Sequence, residues 1–285
     1  MQKKTVSLVL GSGGARGMAH IGIIHWLEEH DYKIESISGC SMGALVGGFH
    51  ATGKLDNYTA FLRDLDTIGI LKLLDFKGSG GLVSGETLMK KMKELVGDPD
   101  IEDLPIKFTA VASDIKEEKE IWMSRGSLLS AIRASISLPL FFTPYEYRGK
   151  MLVDGGVLNP VPIAPTFHDH TDVTIAVNLG GEVDLNLPSP KTEKREGMSA
   201  KITEYFSNIA LPDAISMKNG IYQVADNSFD AMQGTIARMK LATYPPDVEI
   251  KIPRNLCGTL EFNRADEIIS YGYDLCKKLH REGLL

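Results

Sequence analysis

Thr5 to Leu10 (TVSLVL) is a short apolar run closed by glycines. Such a run predicts a strand buried on both faces. Ala19, Ile23, Trp26 and Leu27 then recur at three- and four-residue spacing, which predicts a helix ending near His30. Ile34 to Ser38 reads as a second strand. Met42 to Ala51 carries no charge and is rich in Ala, Gly, Leu and Val, so it reads as a helix packed closely on a sheet. Strand, helix, strand, helix is the start of a parallel α/β sheet.

Leu55 to Ile68 and Glu86 to Val96 are amphipathic and predict two helices. Lys77 to Gly85 (KGSGGLVSG) is a flexible loop between them, with Ser84 as cap of the second. Together they suggest a helical cap over about residues 55–100. Lys107 to Ala112 and Glu120 to Met123 are strands around the charged turn Asp114 to Lys119. Ser127 to Leu138 is a helix stopped by Pro139. Met151 to Val153, Val173 to Leu179 and Val248 to Ile252 are further strands. Gly180 to Gly197 is a polar loop, Met198 to Leu241 is largely helical, and Ala265 to His280 is a last amphipathic helix. That gives a helical C-terminal extension over about 198–285, in one α/β domain spanning 1–285.

Composition narrows the class. The chain has 285 residues, 43% hydrophobic and 24% charged, which supports a sizeable core and excludes disorder and collagen-like repeats. Its longest uncharged run, Ser36 to Gly53, holds five glycines and a histidine and is a poor spanning helix. The net charge is -6 with no basic stripe, so nucleic acid is not an expected partner. Cys40, Cys257 and Cys276 are odd in number and lack CxxC spacing, which gives no zinc or disulfide framework and fits a reducing compartment. No signal-type apolar region precedes the first strand. The expected location is cytoplasmic, with any membrane contact peripheral. Glycine is the one excess: 28 against about 20 at average usage.

Three motifs carry chemistry. Gly39-Cys40-Ser41-Met42-Gly43 is a G-x-S-x-G at a strand-to-helix turn, as a nucleophile elbow requires. Its flanking glycines permit the sharp turn, and the following helix points amides and a positive dipole at an oxyanion. The plainer reading is a Gly-rich turn with a capping serine. Gly11-Ser12-Gly13-Gly14-Ala15-Arg16-Gly17 follows the first strand. It lacks the lysine of a P-loop, and Arg16 stands where a dinucleotide fingerprint needs glycine. What remains is an oxyanion hole of bare backbone N–H groups, or a tight turn without a ligand. Asp154-Gly155-Gly156 ends a strand; by itself it is also a common turn.

The partner of Ser41 is less direct. His20, His25 and His30 lie on or at the end of the first helix and His50 on the second, positions that favour packing or solvation. Asp154 followed by His168 or His170 satisfies the order Ser, acid, His of an α/β-hydrolase. That fold, however, places several strands before its nucleophile, and here about two precede Ser41. A serine paired with a carboxylate base is left.

Taken together, the three motifs resemble the patatin-like phospholipase family. That family carries a G-x-G-G-x-R-G oxyanion loop, a G-x-S-x-G nucleophile and a D-G-G base motif in this order. Arg133 to Pro144 (RASISLPLFFTP) and Gly156 to Pro162 (GVLNPVP) are also similar to the family's stretches around the base. The likeness covers about residues 5–180 and is of the short bacterial type. It implies a three-layer α/β/α sandwich with a mostly parallel sheet and lipid acyl hydrolase or esterase activity. It implies Ser41 as nucleophile, Asp154 as general base, Gly13 and Gly14 as oxyanion donors, and Arg16 as the residue that orients their loop. Gly11, Gly17, Gly39, Gly43, Gly155 and Gly156 support the motifs, and no cofactor or metal is implied. The expected partner is a lipid or ester substrate, met by transient contact with a membrane surface.

An aspartate at its reference pKa of about 3.9 is a weak base at neutral pH. Asp154 is therefore expected to be desolvated and in contact with Ser41. Leu82-Val83, Leu138 to Phe142 and Met198, Met217, Met232 and Met239 are candidates for an apolar channel. A regulatory or lipid-binding module on the same fold is an alternative. So is an acyltransferase, although Cys40 stands where such enzymes typically carry His before the serine.

Overall fold

The computed structural model describes residues 3–65, 83–187 and 215–285, together with Gly69 and Leu73. Strand β1 (Lys4–Leu10) runs into a loop and 3-10 turn and then α1 (Ala19–Glu29). β2 (Tyr32–Cys40), α2 (Met42–Ala51), α3 (Leu55–Arg63) and α4 (Glu86–Val96) follow. Next come β3 (Lys107–Asp114), β4 (Lys119–Met123), α5 (Leu128–Ser135), β5 (Tyr145–Tyr147), β6 (Lys150–Asp154) and β7 (Val173–Gly181). The chain closes with α6 (Ile215–Thr243), β8 (Val248–Pro253) and α7 (Ala265–Arg281).

β3, β2, β1, β7 and β8 are consecutive parallel neighbours, and β4, β5 and β6 add antiparallel pairs at one side. From β1 the chain steps outward through β2 to β3. From β7 it steps the other way to β8. With right-handed crossovers, these opposite steps put α1 and α2 on one face and α6 on the other. The buried side chains agree. Leu8 and Leu10 share a core with Trp26, Phe49 and Ile268 of the first face. Val9 and Ala176 pack with Ala237 and Leu241 of α6 on the second. The result is three layers, α/β/α, with β1 buried on both faces.

The C-terminal part is built into this frame. β8 extends the sheet beside β7, and α7 lies along α1. That approach is so close that a Cβ on Gly22 would meet Ile269 O at 1.9 Å, and one on Gly272 would meet Ala19 O at 2.2 Å. The helical cap and extension expected over 55–100 and 198–285 fall partly outside the described residues, at 66–82 apart from Gly69 and Leu73, and at 198–214. Within them, β8 interrupts the helices as its apolar alternation predicts.

The order in which strands are added reverses between β1 and β7, which makes this the topological switch point of the sheet. Ligands of open α/β sheets bind beyond the strands' carboxyl ends at such a point. The loop after β1 sits there: Gly11 N–H donates to Val177 O of β7 (3.1 Å).

Candidate active site

Ser41 follows the last residue of β2 and precedes the first residue of α2. Its backbone is held at φ 55° and ψ −127°, a region that non-glycine residues rarely occupy. The turn closes because Ser41 O accepts the N–H of Ala44 (3.0 Å) and Leu45 (3.1 Å). It is tight enough to require its flanking glycines. A Cβ on Gly39 would stand 2.5 Å from Gly43 O, and one on Gly43 would stand 2.1 Å from Leu10 O.

Sheet register brings Asp154 to this turn. Cys40 pairs with Val111 on β3, and Ala112, the next residue of β3, pairs with Asp154. Ala112 also pairs with Ile121 of β4, which holds the opposite edge of β3. β2 and β6 therefore share one edge of β3, with β6 taking over where β2 stops for Ser41. Gly155 makes the handover possible: a Cβ there would meet Val111 O at 2.1 Å and the Cys40 Cβ at 2.9 Å. The end of α5 ties both residues down. Ser41 N–H donates to Ser135 Oγ (2.9 Å), which donates to Val111 O (2.6 Å), and Asp154 N–H donates to Ser137 O (2.9 Å).

Asp154 has no solvent exposure. Oδ1 accepts the Gly156 N–H at 2.7 Å, while Oδ2 is buried with no hydrogen-bond partner. Burial raises the carboxyl pKa to about 6. The Ser41 hydroxyl and the Gly156 N–H pull it the other way. Ser41 thus lies close enough to steady the carboxylate, yet no bond of full hydrogen-bond geometry reaches Oδ2.

The Gly11 to Gly17 loop is fixed by its own backbone. Ser12 N–H donates to Pro160 O (2.8 Å), Ala15 N–H to Thr259 O (2.9 Å) and Arg16 N–H to Gly13 O (3.2 Å). Among the described residues, neither the Gly13 nor the Gly14 N–H donates to a protein acceptor. Gly14, at φ +54°, faces the same cavity as Ser41. Gly17 lies against Met42 at the start of α2, and Gly156 against Ser12 and Gln233. Arg16, expected to orient this loop, is 4% exposed. Its Nε donates to Gly13 O (3.3 Å), and its Nη1 and Nη2 reach Arg254 O and the carboxylate of Asp230.

The histidines stand elsewhere. His20 is buried, its pKa lowered to about 4 by desolvation. It is therefore neutral, and Nε2–H donates to Gly11 O at 2.9 Å. His50 is likewise lowered to about 4 by burial. His168 and His170 are exposed. Asp169 between them bonds Ser7 Oγ and Lys107 at the first residue of β3, so this segment lies toward the strands' amino ends, away from Ser41. Cys40 is buried beside Asp154, its thiol donating to Pro160 O (3.3 Å) and pushed well above the usual range by burial.

An apolar cavity of about 120 Å³ opens beside Ser41 and Gly14. Met42, Leu45, Tyr58, Met92, Phe141 and Phe142 are among its walls. The phenylalanine wall is braced by Arg133, which donates to Ser84 O (2.6 Å), Thr143 O (3.0 Å) and Ser137 Oγ (2.6 Å). Leu138 lines the cavity as expected, and Val83 packs behind it against Phe141 and Phe142. Met232 and Met239 of α6 do not join it: they face solvent, at 56% and 67% exposure. Leu82 and Met198 lie outside the described residues, as does the side chain of Met217. Ser135, Ser137, Asp230 and Gln233 were not singled out from sequence. The two serines lie in the RASIS stretch, but nothing local marks the α6 residues.

Comparison with known proteins agrees with this architecture. The sequence model of the patatin-like phospholipase family matches residues 8–167. An uncharacterised NTE family protein of Mycobacterium tuberculosis (strain H37Rv) is 36% identical, over 94% of this chain and 89% of the relative. A lysophospholipase of Emericella nidulans is 28% identical over 99% of this chain, which corresponds to 19% of that protein. VipD from Legionella pneumophila has the same fold, with TM-score 0.56 at 14% identity, over 98% of this chain and 67% of that one. The switch-point loop, the serine turn and the D-G-G strand end all fall inside the matched segment, and the chain belongs to the patatin-like phospholipase family.

Proposed function

We propose that this protein hydrolyses acyl esters of lipids, with Ser41 as nucleophile and Asp154 as general base. The observation that carries the reading is Asp154 Oδ2: a buried, unpartnered carboxylate oxygen at a group whose pKa is raised to about 6, next to a serine held in a strained turn. A carboxylate ionised at neutral pH yet basic enough to accept a proton suits general-base catalysis.

The steps follow from these positions. Asp154 takes the Ser41 hydroxyl proton as Oγ attacks the ester carbonyl carbon. The carbonyl oxygen becomes an oxyanion, and the free N–H groups of Gly13 and Gly14 are the donors available to it. α2 adds the positive end of its dipole. The tetrahedral species collapses to an acyl-serine, and the departing alcohol takes the proton from Asp154. A water then gives its proton to Asp154 and attacks the acyl carbon. The fatty acid leaves, and Ser41 Oγ recovers the proton. The acyl chain lies in the apolar cavity that starts at Ser41.

The fungal relatives named lysophospholipase make a single-chain phospholipid the first substrate to try. Among the described residues no helix is long and apolar enough to cross a membrane. The net charge of -6 gives no general attraction to anionic lipid, so the proposed membrane contact is brief. The free cysteines Cys40, Cys257 and Cys276 fit a cytoplasmic location. Fatty-acid release from lysophosphatidylcholine tests the activity. Release by the wild type and not by Ser41→Ala is expected; no release from that lipid or from p-nitrophenyl esters of any chain length overturns the reading.

A further inference from the structure

Arg16 and Asp230 are 214 residues apart in sequence, yet Arg16 Nη2 donates to Asp230 Oδ1 at 2.9 Å and Nη1 approaches Oδ2 at 3.3 Å. The Arg16 side chain is 5% exposed. A guanidinium taken out of water needs a counter-charge and filled donor positions. Asp230 supplies the charge, and Gly13 O and Arg254 O take the remaining donors described. Three residues along α6, on the same helix face, Gln233 Nε2 donates to Ser12 Oγ at 3.3 Å and rests against Gly156. α6 therefore grips the Gly11 to Gly17 loop at two points.

The peptide plane gives this grip a consequence. In a trans peptide the C=O of one residue and the N–H of the next point in opposite directions. Gly13 O receives both the Arg16 N–H (3.2 Å) and Arg16 Nε (3.3 Å). Holding Gly13 O toward Arg16 aims the Gly14 N–H the other way, and Gly14 lines the cavity that contains Ser41. We infer that Asp230 and Gln233 are positioning residues for the oxyanion donors, acting through Arg16 and Ser12. The inference rests on the function proposed above and assigns part of its rate to a helix beyond the segment that carries the motifs.

Asp230→Asn keeps the side-chain shape and removes the charge. With p-nitrophenyl butyrate, kcat should fall on the order of 10²-fold, the effect of misplacing a catalytic group by about 1 Å, with KM within about twofold. The rate at which a fluorophosphonate labels Ser41 should fall in parallel. The pH midpoint of activity, set by Asp154, should not move. Asp230→Glu should recover most of the rate, and Arg16→Gln with Asp230→Asn should be no slower than Arg16→Gln alone. Wild-type kcat in Asp230→Asn, a shifted midpoint, or additive losses in the double variant would overturn the inference. If Asp230→Asn loses its near-UV circular dichroism, Gln233→Met carries the test, with about a tenfold loss of kcat expected and none contradicting it. Wild-type protein that is not labelled at Ser41 defeats the underlying function; normal labelling of Asp230→Asn defeats the positioning role alone.

Discussion

Asp154 stands opposite Ala112 on β3, one residue beyond the Cys40–Val111 pair that ends β2. Ser41 and Asp154 thus follow one another along one strand edge, and their separation is fixed by sheet register. A one-residue slip of β6 on β3 would turn Asp154 to the other face.

Gly155 is what lets the two strands meet. Gly155→Ala puts a methyl group 2.1 Å from Val111 O, where only backbone movement relieves the clash. The expected result is at least a 10²-fold loss of kcat and a destabilisation of about 1–3 kcal/mol, read by ester hydrolysis and urea unfolding. Activity near wild type would show that the handover tolerates a shifted Asp154.

Burial of Asp154 has a signed effect on stability. Below its ordinary value of 3.8 the carboxyl is protonated in both the folded and unfolded chains. Between that value and about 6 the unfolded chain ionises first, so folding is progressively penalised as pH rises. The whole penalty, about 3 kcal/mol, is present above pH 7. Asp154→Asn should therefore be more stable than wild type by about 2–3 kcal/mol at pH 8 and nearly equal to it at pH 3.5. Urea titrations at the two pH values measure the difference. Its activity should fall by about 10²–10⁴-fold, the range for loss of a general base.

The same pKa predicts the activity profile. The base form of Asp154 is complete well above pH 6 and about one tenth of the total at pH 5. Accordingly, kcat/KM should rise about tenfold from pH 5 to a plateau above pH 7. A profile flat through pH 6 would contradict Asp154 as the base.

Ser135 joins the serine turn to β3 by accepting from Ser41 N–H and donating to Val111 O. Ser135→Ala strands both buried groups. A loss of about 1–3 kcal/mol in unfolding free energy should follow, with a fall in kcat. An unchanged urea midpoint would show that the turn holds itself.

With the acyl chain in the cavity as proposed, the cavity wall sets the chain length accepted. Met92 is buried at its side and should bear replacement by a larger ring only at the expense of space. Met92→Trp is expected to slow p-nitrophenyl esters of long acids more than the butyrate. Equal slowing of both would place the acyl chain elsewhere.

Much of the fold was legible because periodicity reports burial. β1, α2, α4 and α7 fall within a residue of their expected bounds, since their apolar patterns are uninterrupted. β5 was missed: Tyr145–Tyr147 is three residues long and is recognisable only through its hairpin turn, Arg148 and Gly149, both at positive φ. The motifs showed that a serine, an aspartate and a glycine loop belong together, but not what holds them. Ser135 and Ser137 act by backbone and hydroxyl contacts that no residue-type pattern encodes. Asp230 and Gln233 reach the loop from a helix more than 200 residues away, and only the sheet's switch point brings them back to it.

Fluorophosphonate labelling followed by mass spectrometry tests the central claim most directly. Modification at Ser41, absent in Ser41→Ala, greatly slowed in Asp154→Asn and rising with pH through about 6, is the predicted result. Labelling that survives Ser41→Ala, or proceeds at an undiminished rate in Asp154→Asn, would contradict the pairing of this serine with this aspartate.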